Sequence, residues 1–273
     1  QHWPPPACRS FVSRPADLLA AAMVARRSCQ LYSARNHGSL DEQLGVLAAL
    51  GCANAEPYGG LLEDAERLSA ALSAHGLSAP SCHVGLDVLE GEVEIVAAKA
   101  ATIGAELLIV PFIAASERPA DSAGWLAFGR RLAALQAVYA RYGLRLAWHN
   151  HDFEFTPTPE GDIPMALILD AAPALGWQAD IGWIERSGEK SVDWLKKYRS
   201  RIVALHIKDL APAGENAAED GWADAGHGVI DWQGLLPAMA ATDAGLYVLE
   251  HDKPSDFERF ARRSLATLAG WPV

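Results

Sequence analysis

The stretch Leu146-Ala147-Trp148-His149-Asn150-His151-Asp152-Phe153-Glu154-Phe155 begins as an apolar strand and ends in a cluster of polar side chains. Within six residues, the cluster holds two imidazoles, two carboxyl groups and an amide. In α/β proteins, the side chains that carry chemistry lie at the carboxyl ends of parallel strands. The stretch therefore predicts a buried strand whose C-terminal end contributes to a functional site.

Two later stretches repeat this design, Ile202-Val203-Ala204-Leu205-His206-Ile207-Lys208-Asp209 and Leu246-Tyr247-Val248-Leu249-Glu250-His251-Asp252. Working outward from them, strand-like segments lie at 28–33, 52–56, 77–84, 106–110, 144–149, 176–180, 202–206 and 246–250. Helical patterns lie between them, at about 40–50, 61–74, 90–103, 121–142, 161–172, 190–199, 231–243 and 255–269. Eight strand–helix units predict a single-domain α/β fold, the (β/α)8 TIM barrel. A doubly wound open sheet is the alternative, but no GxGxxG loop supports its dinucleotide-binding form.

Glycine follows many of the predicted helices just before the next strand. A glycine at this position accepts the left-handed conformation that ends a helix. The sequence therefore predicts left-handed glycines at the helix ends: Gly51, Gly76, Gly104, Gly143, Gly176 and Gly245.

Composition limits the classes of protein to consider. The 273 residues are 50% hydrophobic and 21% charged, which is typical of a soluble domain with a large core. The net charge of −11 argues against a nucleic-acid partner, and no apolar stretch predicts a membrane span. The four cysteines form no CxxC motif, and we expect a reducing, cytoplasmic location. Residues 1–27 are predicted as an N-terminal extension, and residues 28–273 as the barrel domain.

Polar side chains end most of the predicted strands and would meet at one mouth of the barrel. A divalent metal needs about four ligands drawn from His, Asp and Glu. Since neighbouring residues of a strand point to opposite faces, His149 and His151 can share one face. Each side chain taken alone is equally consistent with a helix cap or a structural hydrogen bond. The candidates are Gln30, Tyr32, Glu56, His83, His149, His151, Asp180, His206, Lys208 and Glu250.

Several motifs, in this order and spacing, resemble the sugar phosphate isomerase/epimerase family, which has the xylose-isomerase-like TIM barrel. The resemblance covers roughly residues 28–270. Besides the three stretches quoted above, it rests on Gln30-Leu31-Tyr32-Ser33-Ala34-Arg35, Glu56-Pro57-Tyr58-Gly59, Asp180-Ile181-Gly182-Trp183 and Gly226-His227-Gly228-Val229-Ile230-Asp231-Trp232.

The resemblance implies a divalent metal held by Glu, Asp, His and Glu from strands 5, 6, 7 and 8. Asp180, His206 and Glu250 match the last three positions, and His149 stands where the strand-5 glutamate is expected. In this family, the glutamates of strands 5 and 8 form the pair that moves a proton beside a carbonyl. Only Glu250 remains of that pair, and its counterpart is His149, His151, Glu154 or nothing.

We therefore expect a metal-dependent isomerase or epimerase that acts on a sugar or keto-sugar. The expected catalytic residues are Glu250, His151 and Lys208. The expected substrate contacts are Glu56, His83, Trp183 and His227, and the expected ligands of Mn, Zn, Mg or Co are His149, Asp180, His206 and Glu250. The expected partner is a small carbohydrate substrate, and we expect no nucleic-acid or membrane partner. The sequence leaves open whether the protein forms a homo-oligomer.

Three alternatives remain at this point. The first is a lyase, either a dehydratase or an enzyme that cleaves keto-glycosides. The enolate formed by removing the proton beside the carbonyl would then expel a substituent, and His227 would protonate the leaving group. In a non-catalytic barrel, the missing strand-5 glutamate reflects lost chemistry and only sugar binding remains. A DNA-repair endonuclease is the weakest alternative, because the acidic charge opposes a phosphate backbone.

Overall fold

The structure is a computed structural model and describes residues 26–272. Eight parallel strands pair in the order β2-β1-β10-β7-β6-β5-β4-β3, and β8 and β9 form a small antiparallel ladder. Backbone hydrogen bonds from Ala55 N to Ser78 O (2.9 Å) and from His83 N to Pro57 O (2.9 Å) close the ring between β2 and β3. The TIM barrel prediction is confirmed. The strands are β1 Arg26–Gln30, β2 Asn54–Glu56, β3 Ser81–His83, β4 Leu107–Val110, β5 Arg145–His149, β6 Gly176–Asp180, β7 Ile202–Ile207, β8 Asp209–Leu210, β9 Trp222–Ala223 and β10 Leu246–Leu249.

Helices surround the barrel, and several begin at a side-chain cap that satisfies free backbone N–H groups. Ser39 and Glu42 form a capping box at the start of the first helix. Among residues 26–272, no helix combines the length and apolar character needed to cross a membrane. The helices are α1 Leu40–Ala49, α2 Gly59–Leu62, α3 Ala65–Ala74, α4 Leu86–Gly91, α5 Val93–Ile103, α6 Ser122–Tyr139, α7 Pro164–Ala171, α8 Ile181–Arg186, α9 Ser191–Lys197, α10 Trp232–Ala240 and α11 Phe257–Ala269.

The first strand begins two residues before the predicted position 28. Arg26 and Arg27 pair with Leu246 and Tyr247 of β10, so they belong to the barrel. The remainder of the predicted extension, residues 1–25, lies outside the described residues. At its other end, β1 stops at Gln30, and a 3-10 turn over Leu31–Ala34 replaces the predicted strand.

Two of the six glycines predicted at helix ends have another role. Gly51, Gly76, Gly104 and Gly143 have φ near +75°, as expected, but Gly176 and Gly245 are not left-handed. Gly176 lies inside β6, where a Cβ would come within 2.9 Å of a Val203 methyl group. A side chain does not fit there, because the barrel interior is already packed.

Seven buried apolar side chains fill the barrel below its C-terminal mouth: Leu107, Ile109, Ala147, Val203, Ala204, Leu246 and Val248. A filled interior has no channel. The polar cluster described below lies at the mouth, above this apolar filling.

Candidate metal centre and substrate cavity

Four side chains from successive strands meet at the mouth. His149 ends β5, Asp180 ends β6, His206 lies in β7 and Glu250 directly follows β10. His206 Nδ1 lies 3.0 Å from Glu250 Oε2 and 3.7 Å from Asp180 Oδ2, and His149 Nε2 lies 4.0 Å from Asp180 Oδ2. Each residue offers one ligand atom, all within 4.8 Å of one another, and all four residues are buried.

Asp180 shows most directly what this cluster fits. Its Oδ1 accepts a hydrogen bond from Trp183 N (2.8 Å), which caps α8. Its Oδ2 is buried and has no hydrogen-bond partner. Leaving a buried carboxylate oxygen without a hydrogen bond is unfavourable, even with the Lys208 ammonium 3.5 Å away. Asp180 and Glu250 supply two carboxylates, and His149 and His206 supply two imidazoles. This is a donor set that divalent transition metals prefer, so the residues fit a metal ion.

Gln178 fixes which nitrogen of His149 carries the proton. The Gln178 amide donates to both oxygens of Glu56, at 3.1 and 2.9 Å, so its Oε1 must be an acceptor. That oxygen accepts from His149 Nδ1 at 3.1 Å and from His83 Nε2 at 2.7 Å. Burial, with help from His206 and His151, holds the pKa of His149 well below its usual range. The ring is therefore neutral, and its Nε2 lone pair faces the cluster.

Glu56 orients His206 from below. The carboxylate is 0% exposed and accepts from His206 Nε2 at 2.7 Å and from Gln30 Nε2 at 2.9 Å, and His83 Nε2 lies 3.0 Å from it. Burial alone would raise the pKa of Glu56, but His83 and His206 hold it far below the usual range. Glu56, a predicted substrate contact, thus lies beneath the mouth and is not among the side chains that line the cavity above it.

His206 lies between two carboxylates, Glu56 on Nε2 and Glu250 on Nδ1. Burial would lower the pKa of His206, but Glu250 and Glu56 raise it well above its usual range. A cation held at Nδ1 would replace the proton on that nitrogen and leave the Nε2–H bond to Glu56 intact. A second group, His83, His149 and His206, also brings three ligand atoms within 4.8 Å, but it lacks a carboxylate.

Lys208 lies beside the cluster and is fully buried. Its ammonium is 2.7 Å from Asp252 Oδ1, 2.8 Å from Glu250 Oε2 and 3.5 Å from Asp180 Oδ2. Burial opposes its charge, but these carboxylates hold the pKa of Lys208 above its usual range. Lys208 is not among the side chains that line the cavity above the cluster. Asp252 does line that cavity, and no site role was predicted for it.

A cavity of about 480 Å³ opens above the cluster. Its floor contains His83, His149 and Glu250, and His151 forms part of one wall. The His151 ring packs against Phe112 and Trp183, with centroids 5.2 and 5.0 Å away. Burial and the nearby Lys208 lower the pKa of His151 to about 3, and its Nδ1 is buried without a hydrogen-bond partner.

A second buried carboxyl group supports this wall. Glu154 is 0% exposed and accepts hydrogen bonds from Trp148 Nε1 (3.0 Å) and His151 N (2.9 Å). Burial raises the pKa of Glu154 to about 8. Glu154 therefore holds the backbone of His151 in place.

Besides Glu56, two of the predicted substrate contacts do not line the cavity. Trp183 is half-buried and packs against His151 and Trp222. His227 is exposed and lines a different cavity of about 490 Å³, together with Arg259 and Asp224. Its loop is fixed by the buried Asp209, which accepts from Gly226 N, Gly228 N, Ile230 N and Trp232 Nε1. His227 is thus separated from the other predicted site residues.

Residues 45–270 match the family described as xylose isomerase-like TIM barrel, and the chain belongs to this family. The rhizopine catabolism protein MocC of Rhizobium meliloti is 27% identical over 164 residues. The match covers 53% of this chain, and the chain spans about half (50%) of the length of MocC.

Solved structures share the fold. A sugar phosphate isomerase/epimerase from Parabacteroides distasonis has a TM-score of 0.74 at 18% identity, over 94% of this chain and 98% of that chain. The 3-keto-D-glucoside 4-epimerase YcjR of E. coli has a TM-score of 0.68 at 18% identity, over 90% of this chain and 99% of that chain. The probable 3-DHS dehydratase AsbF of Bacillus anthracis has a TM-score of 0.70 at 16% identity, over 90% of this chain and 99% of that chain. The IolI protein, solved with a bound zinc atom, has a TM-score of 0.70 at 15% identity, over 89% of this chain and 96% of that chain.

Proposed function

We propose that this protein is a metal-dependent isomerase or epimerase that moves a proton on a carbon beside the carbonyl of a sugar or keto-sugar. The observation that carries the proposal is the buried Asp180 Oδ2, which has no hydrogen-bond partner and forms one cluster of possible ligand atoms with His149, His206 and Glu250. A divalent ion in such a site polarises a carbonyl and makes the neighbouring C–H more acidic. The epimerases among the similar structures support this reaction class.

His149, Asp180, His206 and Glu250 would hold the ion. Gln178 and Glu56 bond the remaining nitrogen of each histidine and so orient both rings. Partners of this kind typically raise metal affinity by roughly 10–100-fold. His149 replaces the expected carboxylate, so the site would carry one negative charge fewer than the family pattern implies.

We assign the proton transfer to His151 rather than to Glu250. Glu250 is a proposed metal ligand, and its Oε2 is already paired with the Lys208 ammonium 2.8 Å away. His151 is neutral and lines the cavity. Negative charge developing on the substrate favours protonation of the ring, since it offsets the burial that keeps the ring neutral.

Lys208 acts on the site through its ion pairs. Its ammonium, within 3.5 Å of Asp180, Glu250 and Asp252, favours the ionised form of the two predicted carboxylate ligands. Lys208 is thus a positioning residue in this proposal. His83 lines the cavity floor and remains a proposed substrate contact.

Exchange with solvent deuterium tests the proposal. Metal-loaded protein is incubated with keto-sugars in D2O, and NMR should show deuterium on the carbon beside the carbonyl of an intact sugar. Asp180→Asn should lose both the metal, measured by elemental analysis, and the exchange. Asp193→Asn is the matched control, because Asp193 is exposed at the start of α9.

Other outcomes identify the alternatives. Release of water or of an aglycone would assign a lyase, the class represented among similar folds by a dehydratase. If the chelated and metal-loaded proteins bound sugar equally and neither exchanged deuterium, the protein would be a sugar-binding barrel without catalysis.

A further inference from the structure

The part of the cavity rim that follows β1, β2 and β4 is aromatic. Tyr32 follows β1, Tyr58 follows β2, and Pro111 and Phe112 follow β4, and all four line the cavity. Tyr32 is 42% exposed and Phe112 is 44% exposed. Within residues 26–272, three aromatic side chains have this degree of exposure, and two of them meet at this cavity. Single exposed apolar residues need no explanation, but two on one cavity mark a binding surface.

Neighbouring side chains hold both rings in place. The Arg35 guanidinium lies 3.8 Å from the centroid of the Tyr32 ring, and Tyr58 packs edge-on at 5.4 Å. Arg35 also donates to Tyr32 O and to Asp252 O, both at 2.7 Å, which joins the turn after β1 to the loop after β10. Phe112 packs against His151 and Phe153. Rings fixed before binding lose little conformational entropy when a ligand contacts them.

The cavity is also larger than one sugar. A hexose has about twelve heavy atoms and fills less than roughly 360 Å³, even if each atom is given the ~30 Å³ of a liquid water molecule. The cavity holds about 480 Å³. A sugar on the floor, with its carbonyl toward the metal ligands, leaves room beside Tyr32 and Phe112.

We propose that Tyr32 and Phe112 form a second subsite, which binds a ring attached to the sugar through a glycosidic oxygen. The substrate is then a glycoside, oxidised to a ketone on the ring that reacts. This inference rests on the proposed function for the first ring, but the second subsite is recognised by its own side chains.

Calorimetry with unreactive ligands tests the subsite without turnover. The probes are methyl β-D-glucopyranoside, phenyl β-D-glucopyranoside and cellobiose. We expect the phenyl glucoside or cellobiose to bind about tenfold more tightly than the methyl glucoside, and the probe with the larger gain names the type of ring. Tyr32→Ala and Phe112→Ala should each reduce that gain by about twofold to tenfold and leave the Kd of the methyl glucoside unchanged.

Tyr142→Ala is the matched control, because Tyr142 is 46% exposed and lies outside the cavity. It should leave all three affinities unchanged, and Tyr32→Phe, which keeps the ring, should retain the gain. No gain for either two-ring probe would overturn the proposal, as would an equal loss for the methyl glucoside in the alanine variants. Calorimetry measures binding without chemistry, so the two proposals can fail separately. A protein that shows no deuterium exchange can still show the subsite by its affinities, and a protein that exchanges deuterium can still lack the subsite.

Discussion

The two halves of the barrel mouth are built from different side chains. The half formed after β5, β6, β7 and β10 holds the candidate ligands, and Asp180 and His206 are 0% exposed there. The rim formed after β1, β2 and β4 presents Tyr32 and Phe112, both more than 40% exposed. Charges are effective where water is excluded, while apolar rings contribute by releasing water when a ligand covers them. The difference separates chemistry from recognition within one cavity.

The largest expected effect lies in the charged half. His151→Ala should keep its metal content but lower the rate of deuterium exchange by about 10²–10⁴-fold, the usual contribution of a positioned proton-transfer group. His227→Ala is the matched control, because His227 is an exposed histidine that lines a separate cavity. If both variants lost the same fraction of the exchange rate, His151 would have no special role in proton transfer, and the assignment of the two histidines to separate cavities would be contradicted.

Glu56 sharpens the comparison, because it ends β2, on the aromatic side of the barrel, and bonds to His206 on the charged side. Glu56→Gln should weaken metal binding by roughly 10–100-fold, measured by competition with a chelator, since the amide is a poorer acceptor for His206 Nε2–H. Glu258→Gln, on the exposed face of α11, should leave the affinity unchanged. If Glu56→Gln instead raised only the KM for sugar, Glu56 would be a substrate contact, as the sequence predicted.

The last prediction concerns Glu154 and the pH dependence of stability. Because the pKa of Glu154 is raised in the folded protein from its ordinary value of 4.5 to about 8, its protonated form favours folding. Its stabilising contribution is complete below pH 4.5 and is lost as the pH rises toward 8, at no more than about 1.4 kcal/mol per pH unit. Glu154→Gln does not titrate, so its free energy of unfolding should rise relative to wild type across this range.

Urea denaturation at a series of pH values measures this difference. Glu160→Gln, at an exposed carboxyl group, should give a pH profile parallel to that of the wild type over the same interval. A Glu154→Gln profile that also runs parallel would mean that Glu154 is ionised in the folded protein.

Much of the fold was readable from the sequence, because buried parallel strands are apolar runs of a characteristic length. All eight barrel strands overlap predicted segments, and His149, Asp180, His206 and Glu250 lie at the ends of such runs. The short helices α2, α4 and α8 and the β8–β9 ladder were missed, because segments of two to six residues show no periodicity.

The supporting residues of the site were harder to predict. Gln178 lies inside a short strand, and its sequence neighbours do not reveal that the amide contacts Glu56, His83 and His149. Glu56 was assigned to substrate, because a strand-end carboxylate looks the same in sequence whether it faces a cavity or lies beneath it. His227 was placed with the site on a motif alone, whereas the contacts of Asp209 hold its loop elsewhere.

The Gln178 amide has a consequence for proton traffic. Imidazoles and carboxylates pass protons along a hydrogen-bonded chain, since each gains a proton on one side and loses one on the other. An amide donates through nitrogen and accepts through oxygen without changing its own protonation. Gln178 stands between His149 and Glu56 and therefore interrupts a relay from one to the other through its amide. Gln178 therefore prevents proton transfer through its amide between the proposed metal ligand His149 and the carboxylate buried below it.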